Sequence, residues 1–148
     1  GQRDALTLYA SQLGWLHSTP KSDKADDEKL SRLDTIVNNG GHVDMPGVGE
    51  CFYVAEMWQD MGLVSSGGMG PSCLSGVDIL AWQQGTQRPV LPWEFTTIRD
   101  MSMSYLTMLH EGEKPETGSP LAERIYDPEE FEKRLLASLD SMIDKADK

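Results

Sequence analysis

Apolar side chains recur at steps of three and four along most of this chain, and the strict alternation of a half-buried strand is found nowhere in it. The pattern predicts a first helix over 2–16, built on Leu6, Tyr9, Leu13 and Leu16. The polar stretch 18–25, which contains Pro20, stops it. A second helix is expected from Asp26 or Asp27 to Val37, with Leu30, Leu33 and Val37 as its stripe. The acidic residues at its start suit the positive end of the helix dipole. Asn38-Asn39-Gly40-Gly41 ends it, and the segment 42–49, with Pro46, Gly47 and Gly49, reads as a loop. The third helix covers 50–61. Cys51, Val54, Ala55 and Trp58 share one face, Tyr53 and Met57 widen it, and Gly62 is its stop.

The clearest local pattern lies at 75–110. Ser75 followed by Asp78 is an N-cap with an acid three positions on, which satisfies orphan backbone donors. Val77, Leu80 and Ala81, flanked by Ile79 and Trp82, read as the apolar face of a short helix that Gly85 ends. After a turn at Gln87-Arg88-Pro89, Pro92 stands at the first position of a longer helix, where its missing N–H is not needed. Phe95, Ile98, Met101, Tyr105, Leu106 and Leu109 give that helix a wide apolar face, and the pair is expected to form an αα-hairpin. The stretch 113–120 is rich in Pro, Gly and Glu and lacks periodicity, so it reads as an extended, mobile linker. Asp127-Pro128-Glu129-Glu130 then opens a final amphipathic helix to about Asp144, with Phe131, Leu135, Leu139, Met142 and Ala146 as its stripe and Leu136 and Ile143 extending it. The expected class is all-α, with about five to six helices. The expected division is a helical domain at 1–112, a Gly/Pro-rich linker at 113–126 and a C-terminal amphipathic helix at 127–148.

A length of 148 residues is ordinary for one domain. No apolar run approaches a membrane span, and the start lacks the basic-then-apolar layout of a signal peptide. Cys51 and Cys73 are too few for a disulfide framework, which points to reduced thiols and a cytoplasmic setting. A formal charge of −11 argues against nucleic acid as the partner, since phosphate backbones are bound through Lys and Arg. It also keeps a chain in solution. Eight methionines are many for this length. Most will fill gaps in the core, although methionine is also favoured on surfaces that adapt to several partners.

Chemistry is sparse. Cys51 falls near a helix N-terminus, a placement that activates a thiol when a histidine serves as base. The available histidines are His17, His42 and His110, and no hydrolase signature surrounds Cys51, so the plain reading is a small apolar core residue. His110-Glu111 lacks the second histidine of a zinc helix, the two cysteines have no CxxC partner, and GGHVDMPGVG lacks the Lys-Ser/Thr ending of a phosphate loop. No catalytic residue, metal site or cofactor is expected. Trp15, Trp58, Trp82, Trp93 and Tyr105 read chiefly as core anchors, of which one or two would line a groove for a partner helix.

The run from Trp58 to Leu109 resembles the C-terminal part of tail assembly chaperones of long-tailed phages, over about a third of the chain. In that family the pattern runs approximately I-x-x-x-E-I-x-A-W-x-x-x-T-G-x-x-L-x-P-W-E, then I-x-x-M-(D/S)-x-x-Y-L. Leu74, Asp78, Ile79, Ala81, Trp82, Thr86, Leu91, Pro92, Trp93, Glu94, Ile98, Met101, Tyr105 and Leu106 fill its places here. Trp58 before a Gly-rich turn also fits, whereas residues before Cys51 and after Gly112 have no counterpart. The resemblance implies binding without catalysis: holding an aggregation-prone helical tape-measure protein, recruiting tail-tube subunits, and self-associating along a long client. The candidate partner-binding residues are Trp82, Trp93, Met101 and Tyr105, with Phe131, Leu135, Leu139 and Met142 of the last helix. The competing reading is an acidic inhibitor that mimics nucleic acid and blocks a basic host protein.

Overall fold

Two helices touching backbone to backbone form the axis of the fold. In the computed structural model, which describes residues 1–23, 29–125, 132, 133, 136, 137, 139, 140 and 143, α1 (Gln2–His17) packs along α5 (Pro92–Glu111). A Cβ at Gly14 would overlap the carbonyl of Tyr105, so only glycine permits this approach. A Cβ at Gly112 would overlap the Ser18 side chain in the same way. Arg3 pairs with Asp100 near one end, and Gly14 and Ser18 meet Tyr105 and Gly112 further on, so α1 and α5 run in the same sense. Leu6, Tyr9, Ala10 and Leu16 of α1 and Ile98, Met101 and Tyr105 of α5 are buried between them. The pattern on these two helices is the expected one.

The remaining elements wrap this pair. α2 (Arg32–Asn38) is short and buries no residue. The turn of 3₁₀ helix at Gly49–Cys51 leads into α3 (Phe52–Asp60), and α4 (Gly76–Thr86) and α6 (Pro120–Ile125) complete the set. The architecture is all-α. No strand occurs among the described residues, and the single isolated bridge joins Ser65 to Ser72 at the base of the Gly-Ser turn. Cys51, Val54, Ala55, Met57 and Trp58 of the third helical segment are buried, as their spacing requires, while Tyr53 lies on the rim. Trp58 is fully enclosed: its indole donates to the Leu63 carbonyl at 3.0 Å, and Tyr105 meets it edge-on at 5.7 Å. Gly62 takes φ +96° just past the helix end, where a left-handed residue is cheapest as glycine.

Four expectations are corrected. The second helix begins at Arg32, because Ser31 is extended and its side chain accepts the Asp34 amide. The expected start at Asp26 or Asp27 lies outside the described residues. On α4 the buried residue is Ile79, whereas Val77, Leu80 and Ala81 face outward. Gly85 does not end α4: the helix continues to Thr86, and Gln87 supplies the left-handed cap at φ 57°. The partner of α5 along its length is α1 and not α4, so the hairpin is a connection between neighbours and not the packing unit.

The expected linker is also tied down where it is described. The Lys21 amide donates to the Glu113 carbonyl at 2.8 Å, and the Trp15 indole donates to the Thr117 carbonyl at 2.9 Å. Ser119 donates to the side-chain oxygen of buried Gln12 at 2.6 Å, and the amide of Gln12 donates to the Asp44 carbonyl at 3.1 Å. Arg32 stacks over Trp15 and donates to the Gly112 and Lys114 carbonyls. Residues 113–120 are therefore turns hydrogen-bonded to α1 and α2, and α6 follows directly against α1.

Candidate functional site

The corner where α4 meets α5 exposes several large apolar side chains. Ser75 and Asp78 build its first turn: the Asp78 amide donates to the Ser75 hydroxyl oxygen at 3.1 Å, and the Asp78 carboxylate accepts the Ser75 amide at 2.8 Å. The Ser75 amide, and after it the Ser75 hydroxyl, donate to the Asp78 carboxylate and hold that carboxyl below its usual range. Gln83 accepts the Val90 amide at 2.9 Å and folds the connection back onto α4. At the start of α5, Pro92 has no N–H and so needs no acceptor, and the Glu94 carboxylate accepts the Leu91 amide at 2.8 Å. Glu94 is buried, and it also takes the hydroxyl of Tyr53, whose pKa is pushed up to about 12 chiefly by that bond. Backbone satisfaction at both helix starts leaves Val77, Leu80, Leu91 and Trp93 presented to solvent, with Val77 75% and Trp93 42% exposed.

The expected binding residues that are described separate into three groups. Met101 and Tyr105 are core residues and cannot touch a partner without opening the fold. Their reading as partner contacts is corrected, because the face of α5 that carries them is covered by α1 and α3. Trp82 is half-buried. Its indole donates to Asp60 at 2.7 Å and Arg88 lies over its ring at 5.2 Å, so it braces the corner from below. Trp93 is exposed, as is Leu139. Phe131, Leu135 and Met142 lie outside the described residues. Periodicity missed Val77, Leu80 and Leu91. The α4 sequence is apolar on both faces, so no stripe points inward, and the choice of Ile79 rests on which side meets α3 and α5.

Other places offer less. Cys51 is buried at the N-cap of α3. Each histidine is engaged elsewhere: His17 Nδ1 with the Tyr105 hydroxyl at 2.6 Å, His42 with Asp44, and His110 with Glu113. Among the described residues no three His, Cys, Asp or Glu side chains converge as metal ligands. Among these residues no helix is long and apolar enough to cross a membrane. An open groove of about 570 Å³ runs between α1, the 42–46 loop and α6, floored by Trp15, Ile36, Met45 and Leu121. A smaller cleft of about 220 Å³ lies beside Cys73, Phe95 and Arg99. Comparison with protein-family models, with characterised proteins and with solved structures finds no match to this chain.

Proposed function

We propose that this chain is a non-enzymatic binding protein that covers exposed apolar stripes on a helical client, acting as a tail assembly chaperone for a tape-measure protein or for tail-tube subunits. The observation that carries the reading is the exposed set Val77, Leu80, Leu91 and Trp93, held on two capped helices inside the stretch of resemblance. Folding accounts for most other residues of that pattern. Leu74, Ile79, Ile98, Met101 and Tyr105 fill the core, and Asp78 and Glu94 cap helices. Leu91 and Trp93 remain 51% and 42% exposed, and an exposed aromatic side chain is a usual anchor of a protein interface. The −11 charge would keep a complex with an aggregation-prone client in solution.

The reading is tested by a pull-down from phage-producing cells at low and at high salt, with the captured proteins identified by mass. A long helix-rich phage protein that stays bound at high salt, and is lost on Trp93→Ser, supports it. A basic host protein that dissociates as salt rises overturns it in favour of acidic mimicry, because phosphate-like binding is salt-sensitive.

A further inference from the structure

Helix α2 is fastened to the body through its first residue. The Arg32 amide donates to the Ser18 carbonyl at 2.9 Å, and Nη2 donates to the Gly112 and Lys114 carbonyls at 2.9 and 3.1 Å. Nε donates to the Ser18 hydroxyl at 3.3 Å, and the guanidinium lies 4.9 Å over the Trp15 ring. One planar cation thus ties the start of α2 to the ends of α1 and α5. Past Arg32 the attachment thins among the described residues. α2 buries no residue, Leu33 and Ile36 are half-buried, and Asp34, Thr35, Val37 and Asn38 are exposed. The bonds that end the helix close on the segment itself. Asn39 donates to the Thr35 carbonyl at 3.1 Å, Gly40 to Val37 at 3.0 Å and Gly41 to Ile36 at 2.8 Å. The chain is pinned to α1 again at Asp44, whose carbonyl accepts the Gln12 side-chain amide at 3.1 Å.

We infer that residues 31–41 form a flap, latched by Arg32, that opens as one unit while α1 and α5 stay folded. An isolated helix is marginal in water below about 12–15 residues, so seven-residue α2 melts once it parts from α1. A segment with few buried apolar contacts opens at a free energy well below that of global unfolding. Gly40, at φ +70° with open space where a Cβ would stand, supplies the hinge beside the Asp44 pin. The 113–119 return does not depend on the latch, because Lys21, Trp15 and Gln12 hold it as well. Ile36 lines the groove of about 570 Å³ together with Trp15, Met45 and Leu121. Opening the flap takes Ile36 out of that lining, so the width of the groove follows the state of the latch. The flap shares no residue with the α4–α5 corner and stands or falls independently of the chaperone reading.

Native-state amide exchange of the full chain, resolved by residue, tests it. The amides of Thr35, Asn39, Gly40 and Gly41 are expected to share one opening equilibrium, protected roughly a hundredfold less than the best-protected amides of α1 and α5. Their exchange is expected to rise less steeply with urea, since a short flap exposes little surface on opening. Arg32→Ala is expected to cut their protection roughly tenfold or more, the loss typical of hydrogen bonds from a charged group. Arg32→Lys keeps the charge without the planar fork and is expected to cut it less. Protection and urea slope equal to those of α1 and α5 overturn the proposal, because α2 then opens only when the whole chain unfolds. That measurement on the parent chain stands even if Arg32→Ala does not fold. Flap amides indifferent to both substitutions overturn the latch.

Discussion

Gly14 shows how much one missing methyl group can decide. Its Cα lies close enough to the Tyr105 carbonyl that α1 and α5 share backbone contact, and no rotamer adjustment relieves an added Cβ, because the opposing atoms are main chain. Gly14→Ala gains about 1 kcal/mol of helix propensity, yet the overpacking it forces costs about 1–3 kcal/mol. We expect net destabilisation and a lower urea midpoint with an unchanged slope. A variant as stable as the parent would show that the two backbones do not approach this closely. Three residues on, His17 sits edge-on to Tyr105 at 5.6 Å, and burial lowers its pKa below the ordinary 6.5 despite the opposing pull of Asp34. The unfolded chain then binds a proton more readily than the folded one. The contribution of His17 is fully present above pH 6.5 and is lost as pH falls toward the lowered value. His17→Gln is expected to flatten the pH dependence of unfolding as pH falls below 6.5, and identical slopes in parent and variant would refute the assignment.

At the scale of elements, capping explains where the helices start better than their apolar stripes do. Ser31 with Asp34 and Ser75 with Asp78 each satisfy a first-turn amide, and Glu94 does the same for Leu91 without a hydroxyl-bearing N-cap. Ser75→Ala is expected to cost about 1 kcal/mol in thermal or urea unfolding. Because Asp78 is held below 3.8, its contribution is complete above that pH and fades as pH falls through the lowered value, and Asp78→Asn removes that acid-side dependence. The Ser75–Asp78 cap was readable from residue type and spacing alone. The Ser31–Asp34 cap carries the same signal and fixes the α2 start five residues or so beyond the acidic cluster that the helix-dipole argument favoured. The inward face of α4 was not readable, since Val77, Ile79, Leu80 and Trp82 surround the helix and local hydrophobicity gives no direction.

At the scale of the molecule, the proposed binding draws on the side chains that the α4–α5 corner leaves exposed. Val77→Ser is expected to change unfolding free energy by no more than about 0.5 kcal/mol, as for other surface sites, whereas Trp93→Ser also gives up the buried part of its indole and is expected to cost more. The same pair is expected to weaken client retention by about 2 kcal/mol, roughly thirtyfold, the loss typical of an interface anchor. Equal losses in stability and retention would show instead that the corner is part of the core.

The sequence by itself determined the all-α class, the apolar faces of α1, α3 and α5, the Ser75–Asp78 cap and the stop at Gly62. Each of these follows from spacing and backbone preference within one or two turns of chain. Only the tertiary structure decided that α1 is the partner of α5, that Met101 and Tyr105 are enclosed while Trp93 is not, and that residues 113–120 return to α1 through Trp15 and Gln12. Those outcomes depend on contacts between residues far apart in the chain. Amphipathic periodicity says that a face must be covered, but what covers it is set by which backbones can approach, and here Gly14 makes that choice.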